Sequence, residues 1–215
     1  MVNFVVKQNI IAYHTSDLTE PIDDLKDLTP FHSNVNEPQW LGQGYYFWTD
    51  DDFYAHLWGC LKIKNDEGIS QYKYKNGYVI TQFNISIEPN NLLDLVGNAR
   101  QQIYFYKLVK LYREEYCIDD IEDIPVSKII DYCKLKSQDN FNVFPYFAIK
   151  ACDTAKNSKY FPFTTTSSET LILPTRQQLC VFSLYKNEII SSPTIHQIVD
   201  KSTRALDWKN KRYLL

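Results

Sequence analysis

Apolar residues recur along this chain at two periods. One alternates with polar residues, as a half-buried strand does, and the other returns every three or four positions, as one face of a helix does. By these rules residues 9–13 form a short apolar strand that ends at His14-Thr15-Ser16-Asp17, where turn and capping residues take over. Residues 17–38 are acidic and irregular, with one helical turn expected over 23–28. Residues 45–48 are all aromatic and read as a strand, followed by a helix over 53–63 with Phe53, Leu57, Cys60 and Leu61 on its apolar side. A longer strand covers 78–87 and stops before Pro89, and a short apolar piece follows at 92–95.

The pattern then turns helical. Residues 99–116 place Ile103, Tyr106, Leu108, Val109, Leu111 and Tyr112 along one side. A second helix over 126–135 enters after Pro125, and a third, shorter one is expected over 146–151. Beyond it, 170–173 and the apolar run 179–182 read as strands, 187–190 as a further strand, and 201–215 as helix or coil. With no internal repeat, the pattern predicts one α+β domain over 1–215 with a helical insert at about 97–152.

Composition narrows the class. Of the 215 residues 44% are apolar, while only 6 are glycine and 9 proline, so the chain folds and carries no low-complexity linker. Aromatics reach 15%, which favours β-rich cores and ring-lined clefts. A net charge of −3 gives no chain-wide electrostatic case for binding nucleic acid. The 5 cysteines are widely spaced and never form Cys-x-x-Cys, which predicts reduced thiols in a cytoplasm. The 4 histidines are scattered, so no metal site is expected. The start of the chain lacks the charged and apolar stretches of a signal peptide, and no run approaches the ~18 apolar residues of a membrane span.

The densest motif is Leu41-Gly42-Gln43-Gly44-Tyr45-Tyr46-Phe47-Trp48. Two closely spaced glycines let a backbone turn tightly, and the aromatic strand behind them offers ring faces suited to a flat polar heterocycle. A dinucleotide-binding fingerprint is excluded, since no third glycine follows at the required spacing and no helix opens on the turn.

Three features far apart in sequence meet predicted strand ends: His14-Thr15, Gly44-Tyr45-Tyr46-Phe47 and Gln178-Leu179-Cys180-Val181. Together they resemble the ADP-ribosyltransferase superfamily, in the diphtheria-toxin and poly(ADP-ribose) polymerase branch. Tyr13-His14-Thr15-Ser16 is similar to that branch's Tyr-His-Gly-Ser/Thr opening, with Thr15 where the branch has glycine. Residues 42–47 are similar to its Gly-x-Gly-Ile/Phe-Tyr-Phe segment, and Ala55 and Trp58 resemble the alanine and aromatic of its next helix.

The resemblance implies a split β-sheet core that takes NAD+ as co-substrate and breaks the nicotinamide–ribose bond. It implies that His14 bonds the adenosine ribose, with Ser16 beside it, and that the backbone at Thr15 holds the nicotinamide amide. Tyr46 stacks on the nicotinamide, Gly42 and Gly44 permit close approach, and Tyr45 and Trp58 complete the cofactor site. The third catalytic position, often glutamate, falls on Gln178, whose amide can bond a ribose but cannot act as a base. Glu188 competes for that position, and Glu169 lies in the loop that faces the acceptor in this superfamily. The expected activity is mono-ADP-ribosyl transfer to a protein or nucleic-acid acceptor by a toxin or defence effector with an antitoxin partner. The rivals are an inactive NAD+ or ADP-ribose sensor, an NAD+ glycohydrolase, and a purely structural interaction protein.

Overall fold

The computed structural model of the chain describes residues 6–19, 21–64, 74, 76–153, 159–162, 164–165, 170–173 and 175–200. Its core is a seven-stranded sheet in the order β4-β5-β8-β2-β1-β3-β9. The strands are β1 (Gln8–Asp17), β2 (Tyr45–Thr49), β3 (Gly77–Ile87), β4 (Leu92–Asp94), β5 (Ala148–Asp153), β8 (Arg176–Val181) and β9 (Thr194–Asp200). Between β5 and β8 a separate hairpin pairs β6 (Lys159–Pro162) with β7 (Thr170–Leu173). The helices are α1 (Ile22–Leu28), α2 (Phe53–Lys64), α3 (Ala99–Glu115), α4 (Val126–Asp139) and the short α5 (Lys186–Ile189). The molecule is therefore α+β with a mixed sheet, in which only β4 and β5 run parallel. Helices α3 and α4 lie on the long connection between those two strands, as a parallel pair requires.

The sheet has a narrow waist. β1 pairs with β3 along its whole length, from Gln8↔Ile87 to Asp17↔Tyr78, but meets β2 only at Ala12↔Thr49 and Tyr13↔Trp48. β2 in turn pairs with β8 from Tyr45↔Val181 to Trp48↔Gln178. Two half-sheets are thus joined by a short ladder and part beyond Tyr13. The sequence resemblance implied a split β-sheet core; the observed sheet is continuous across this ladder of two residue pairs.

Opposed residues share a face of a sheet, which places the helices. Tyr46, Cys180, Ile149 and Ala151 pack under α3 and α4 with Phe105, Leu108, Ile129, Ile130 and Cys133. On the same face, Trp48, Tyr78 and Ile80 pack under α2 with Tyr54, Ala55, Cys60 and Ile63. The opposite face buries Ala12, Phe47, Phe83, Ile85, Leu179, Val181 and Ile189.

Several expectations need correction. Residues 14–17 continue β1 rather than ending it, because the ladder to β3 runs on through them. Residues 148–151 are strand, not helix: both neighbours of β5 supply backbone partners, so the helical block ends at α4 and not near residue 152. Residues 186–189 form helix α5, with Ile189 buried, and only Ile190 bridges to Ile85. β9 falls in a stretch given no element by pattern; it is an edge strand with mostly exposed side chains. On α2 and α3, Leu61, Ile103, Tyr106 and Leu111 are exposed, while Cys60, Ile63 and Phe105 face the sheet. The expected helix or coil at 201–215 lies outside the described residues. Among the described residues no helix is long and apolar enough to cross a membrane.

Candidate functional site

A cavity of about 890 Å³ opens where β1 leaves β2. It takes in His14, Thr15, Ser16 and Asp17 from β1, Tyr46, Phe47 and Trp48 from β2, and Arg176 and Gln178 from β8. Trp58 and Lys62 of α2, Asp153 of β5, and Phe31 and Trp40 from the segment after α1 are also among its walls. Residues from three distant parts of the chain therefore share one concave surface, with aromatic rings and a few converging polar groups. That is the usual make-up of a small-molecule site.

His14 ties the cavity's walls together. The Phe31 backbone N–H donates to Nε2 at 3.3 Å, so Nδ1 carries the proton and donates to the Tyr46 carbonyl at 2.9 Å. This side-chain bond spans β1 and β2 just where their backbone ladder ends. Burial pushes the imidazole below its ordinary 6.5, with the Tyr46 bond working weakly against it, so the ring is neutral near pH 7.

Thr15 faces two ways. Its hydroxyl donates to the Ala55 carbonyl at 2.9 Å, fastening α2 to the sheet. Backbone groups of a strand point to alternate sides, and the Ile11 carbonyl accepts Asp50 N–H on the β2 side. Thr15, two pleats on, presents its backbone edge to that same side, beyond the last β2 partner. The Tyr74 hydroxyl donates to the Thr15 carbonyl there at 3.3 Å. Ser16 is buried, its hydroxyl has no hydrogen-bond partner among the described residues, and it lines the cavity.

Tyr46 lines the cavity and also braces the glycine turn. Its hydroxyl donates to the Gly42 carbonyl at 2.8 Å and accepts from Leu41 N–H at 3.0 Å. Burial raises its pKa far above the ordinary tyrosine value, so the phenol never ionises in practice. Gln178 stands opposite Trp48 on β2 and Ala151 on β5, and its Oε1 accepts from Trp40 Nε1 at 2.7 Å. Beside it on the same strand face, Arg176 forms a two-pronged pair with Asp153, Nε to Oδ1 at 2.7 Å and Nη2 to Oδ2. At the α2 wall Lys62 lies 4.7 Å over the Trp58 ring.

Not every expected residue reaches the cavity. Gly42 has φ +79° and turns the chain under α4; Gly44 lets β2 close on β8, since an added Cβ would stand 2.4 Å from the Val181 carbonyl oxygen. Neither lines the cavity, so both shape the turn rather than the approach of a ligand. Tyr45 points to the other face, edge-on to His32 at 5.1 Å and under Lys186. Glu188 is exposed on α5 and absent from the cavity wall, because the stretch is a helix beyond β8. Glu169 lies outside the described residues. His14, Thr15, Ser16, Tyr46, Trp58 and Gln178 are brought together.

Trp40, Phe31, Lys62, Asp153 and Arg176 were not anticipated. Arg176 was within reach of the pattern, since a residue two positions before Gln178 on a strand shares its face. Trp40 carries no periodic signal and arrives only by loop closure. Comparison with family models, with curated proteins and with solved structures finds no match to this chain.

Proposed function

We propose that the cavity binds NAD+ and that the protein transfers ADP-ribose from it to an acceptor. The observation that carries this reading is the convergence of His14, Tyr46 and Gln178 on one cavity at the waist of the sheet. The chemistry they offer fits the task. A neutral imidazole flanked by the Ser16 hydroxyl suits ribose hydroxyls, and the backbone edge of Thr15 suits a carboxamide, which needs one donor and one acceptor. Tyr46 and Trp48 supply ring surface for the nicotinamide.

In the reaction the bond from ribose C1 to the nicotinamide nitrogen breaks, and its electron pair leaves with neutral nicotinamide. The oxocarbenium-like ribose is then captured by the acceptor's nucleophilic atom, which gives up its proton to solvent or a neighbouring base. Fixed dipoles and ring faces around the developing charge lower the barrier without a bond forming between ribose and protein. Gln178 cannot take that proton, so the acceptor must be nucleophilic on its own or be served by another group. Action in a cytoplasm as a toxin or defence effector with a neutralising partner belongs to the same reading and rests on the resemblance alone. The same amide supports a second reading, a site that binds NAD+ or ADP-ribose without turnover.

Incubation of the purified chain with labelled NAD+ and a lysate separated into protein and nucleic-acid fractions tests the proposal. Label fixed on one fraction, lost in His14→Ala, is the expected result. Free ADP-ribose alone would mean hydrolysis, and binding without turnover would mean a sensor. Neither turnover nor binding would sink the NAD+ reading.

A further inference from the structure

The segment that carries Trp40 is closed on itself. Ser33 N–H donates to the Gly44 carbonyl at 2.9 Å, and Gly44 N–H donates back to Ser33 Oγ at 3.1 Å. Gln43 fills the middle: its Oε1 accepts from Ser33 Oγ at 2.6 Å, and its Nε2 donates to the carbonyls of Asn34 at 3.3 Å and Glu37 at 3.0 Å. At the end of the loop, Leu41 is fully buried in the core under α3 and α4 and Gly42 accepts the Tyr46 hydroxyl. A loop with touching ends and its own side chain inside is a compact Ω-type element, so Trp40 is held in place rather than swept through solvent.

Trp40 lies over the cavity and gives its indole N–H to Gln178 at 2.7 Å. An indole nitrogen can only donate, so the edge of the amide that faces it is the carbonyl oxygen. The backbone of Gln178 is fixed between β2 and β5, and the bond from Trp40 restrains the amide at the end of its side chain. Its two N–H groups stay outside the bond to Trp40, on a side chain that lines the cavity.

We infer that Trp40 is a positioning residue, which orients Gln178 so that the ligand group met at this point of the cavity is a hydrogen-bond acceptor. The inference rests on the NAD+ reading, under which that acceptor is a ribose oxygen. It assigns the third position a polarity opposite to that of a carboxylate, which offers oxygen lone pairs and no donor. Trp40 acts on the ligand through Gln178, and its ring lines the cavity as a separate contribution.

Two measurements on the full chain test this. In nitrogen–proton correlation spectra the Trp40 indole resonance, assigned by its loss in Trp40→Phe, shifts in Gln178→Ala. An unmoved resonance means the contact is absent and overturns the inference, whatever the ligand. In isothermal titration with NAD+, Trp40→Phe keeps the ring and weakens binding about fivefold, the effect of one hydrogen bond. Gln178→Ala weakens it by at least as much, and the double variant binds within about twofold of Gln178→Ala, because the two act as one unit. If the Trp40→Phe loss adds in full on top of Gln178→Ala, the indole acts independently and the positioning role is wrong, while a loss of binding in His14→Ala still upholds the NAD+ site. Failure of the wild-type chain to bind NAD+ overturns both.

Discussion

At the scale of single residues, two side chains explain how the waist of the sheet is held while a cavity opens beside it. His14 replaces a missing backbone rung with its bond to the Tyr46 carbonyl, and burial keeps it neutral. The unfolded chain takes up a proton at the ordinary 6.5, whereas the folded ring resists it to lower pH. Stability from this group is therefore complete above 6.5 and is lost as pH falls through the window below it. His56 has the same sign, since burial lowers it more than its Asp52 neighbour raises it. Urea unfolding across that window should show a midpoint that falls with pH, with a shallower fall in His14→Asn. A slope in His14→Asn identical to that of the wild type would refute this account. Tyr46→Phe removes the bonds to Leu41 and Gly42 and is expected to cost about 1–3 kcal/mol in chemical denaturation while leaving the ring face for the ligand. Unchanged stability would show that the hydroxyl does not brace the turn.

Elements show where periodicity and packing part company. The helical period over α2 was legible, and Phe53, Leu57 and Cys60 do pack toward the sheet, but Leu61 is 50% exposed, and Ile63, at 3%, is buried in its stead with Tyr78 and Ile80. Helix α2 has apolar residues on more than one side, so spacing alone cannot choose the buried stripe. The sheet chooses it through Gly59, where an added Cβ would stand 2.5 Å from the Tyr78 ring. Ile63→Ala should cost about 2–4 kcal/mol, while Leu61→Ala should stay within about 0.5 kcal/mol of wild type; thermal denaturation of the pair decides, and the reverse order would return the buried side to Leu61. Gly44→Ala strains the β2–β8 junction and should destabilise by at least about 1–3 kcal/mol. A neutral effect would mean that the strands can separate there without loss.

For the whole molecule, the waist between β1 and β2 is the feature on which the proposed function rests. A sheet with a full ladder at this point would bury the edge of Thr15 and leave no cavity; a sheet without one would not hold His14 against Tyr46. A ligand that enters here touches both half-sheets and should stiffen their junction. NAD+ at about a hundredfold excess over its dissociation constant is expected to stabilise the protein by about 2.7 kcal/mol. His14→Ala should lose most of that gain at the same concentration. A gain equal in the variant would place the ligand elsewhere.

The sequence by itself determined the class of the molecule and the identity of most of its elements. Alternation marked β3, the aromatic run marked β2, and helical spacing with Pro125 ahead of it marked α4, because these signals are local and each residue's burial follows from its neighbours in the chain. It also pointed to His14, Tyr46 and Gln178, which a strand-end reading could single out though it misplaced the end of β1. What only the tertiary structure decided is pairing over distance. Residues 148–151 are strand because β4 and β8 flank them, and Glu188 leaves the site because its segment coils onto a buried Ile189. Trp40 and Arg176 join the cavity because a closed loop and a cross-strand pair bring them there. Such placements depend on backbone groups and side chains far apart in the chain, and no local period records them.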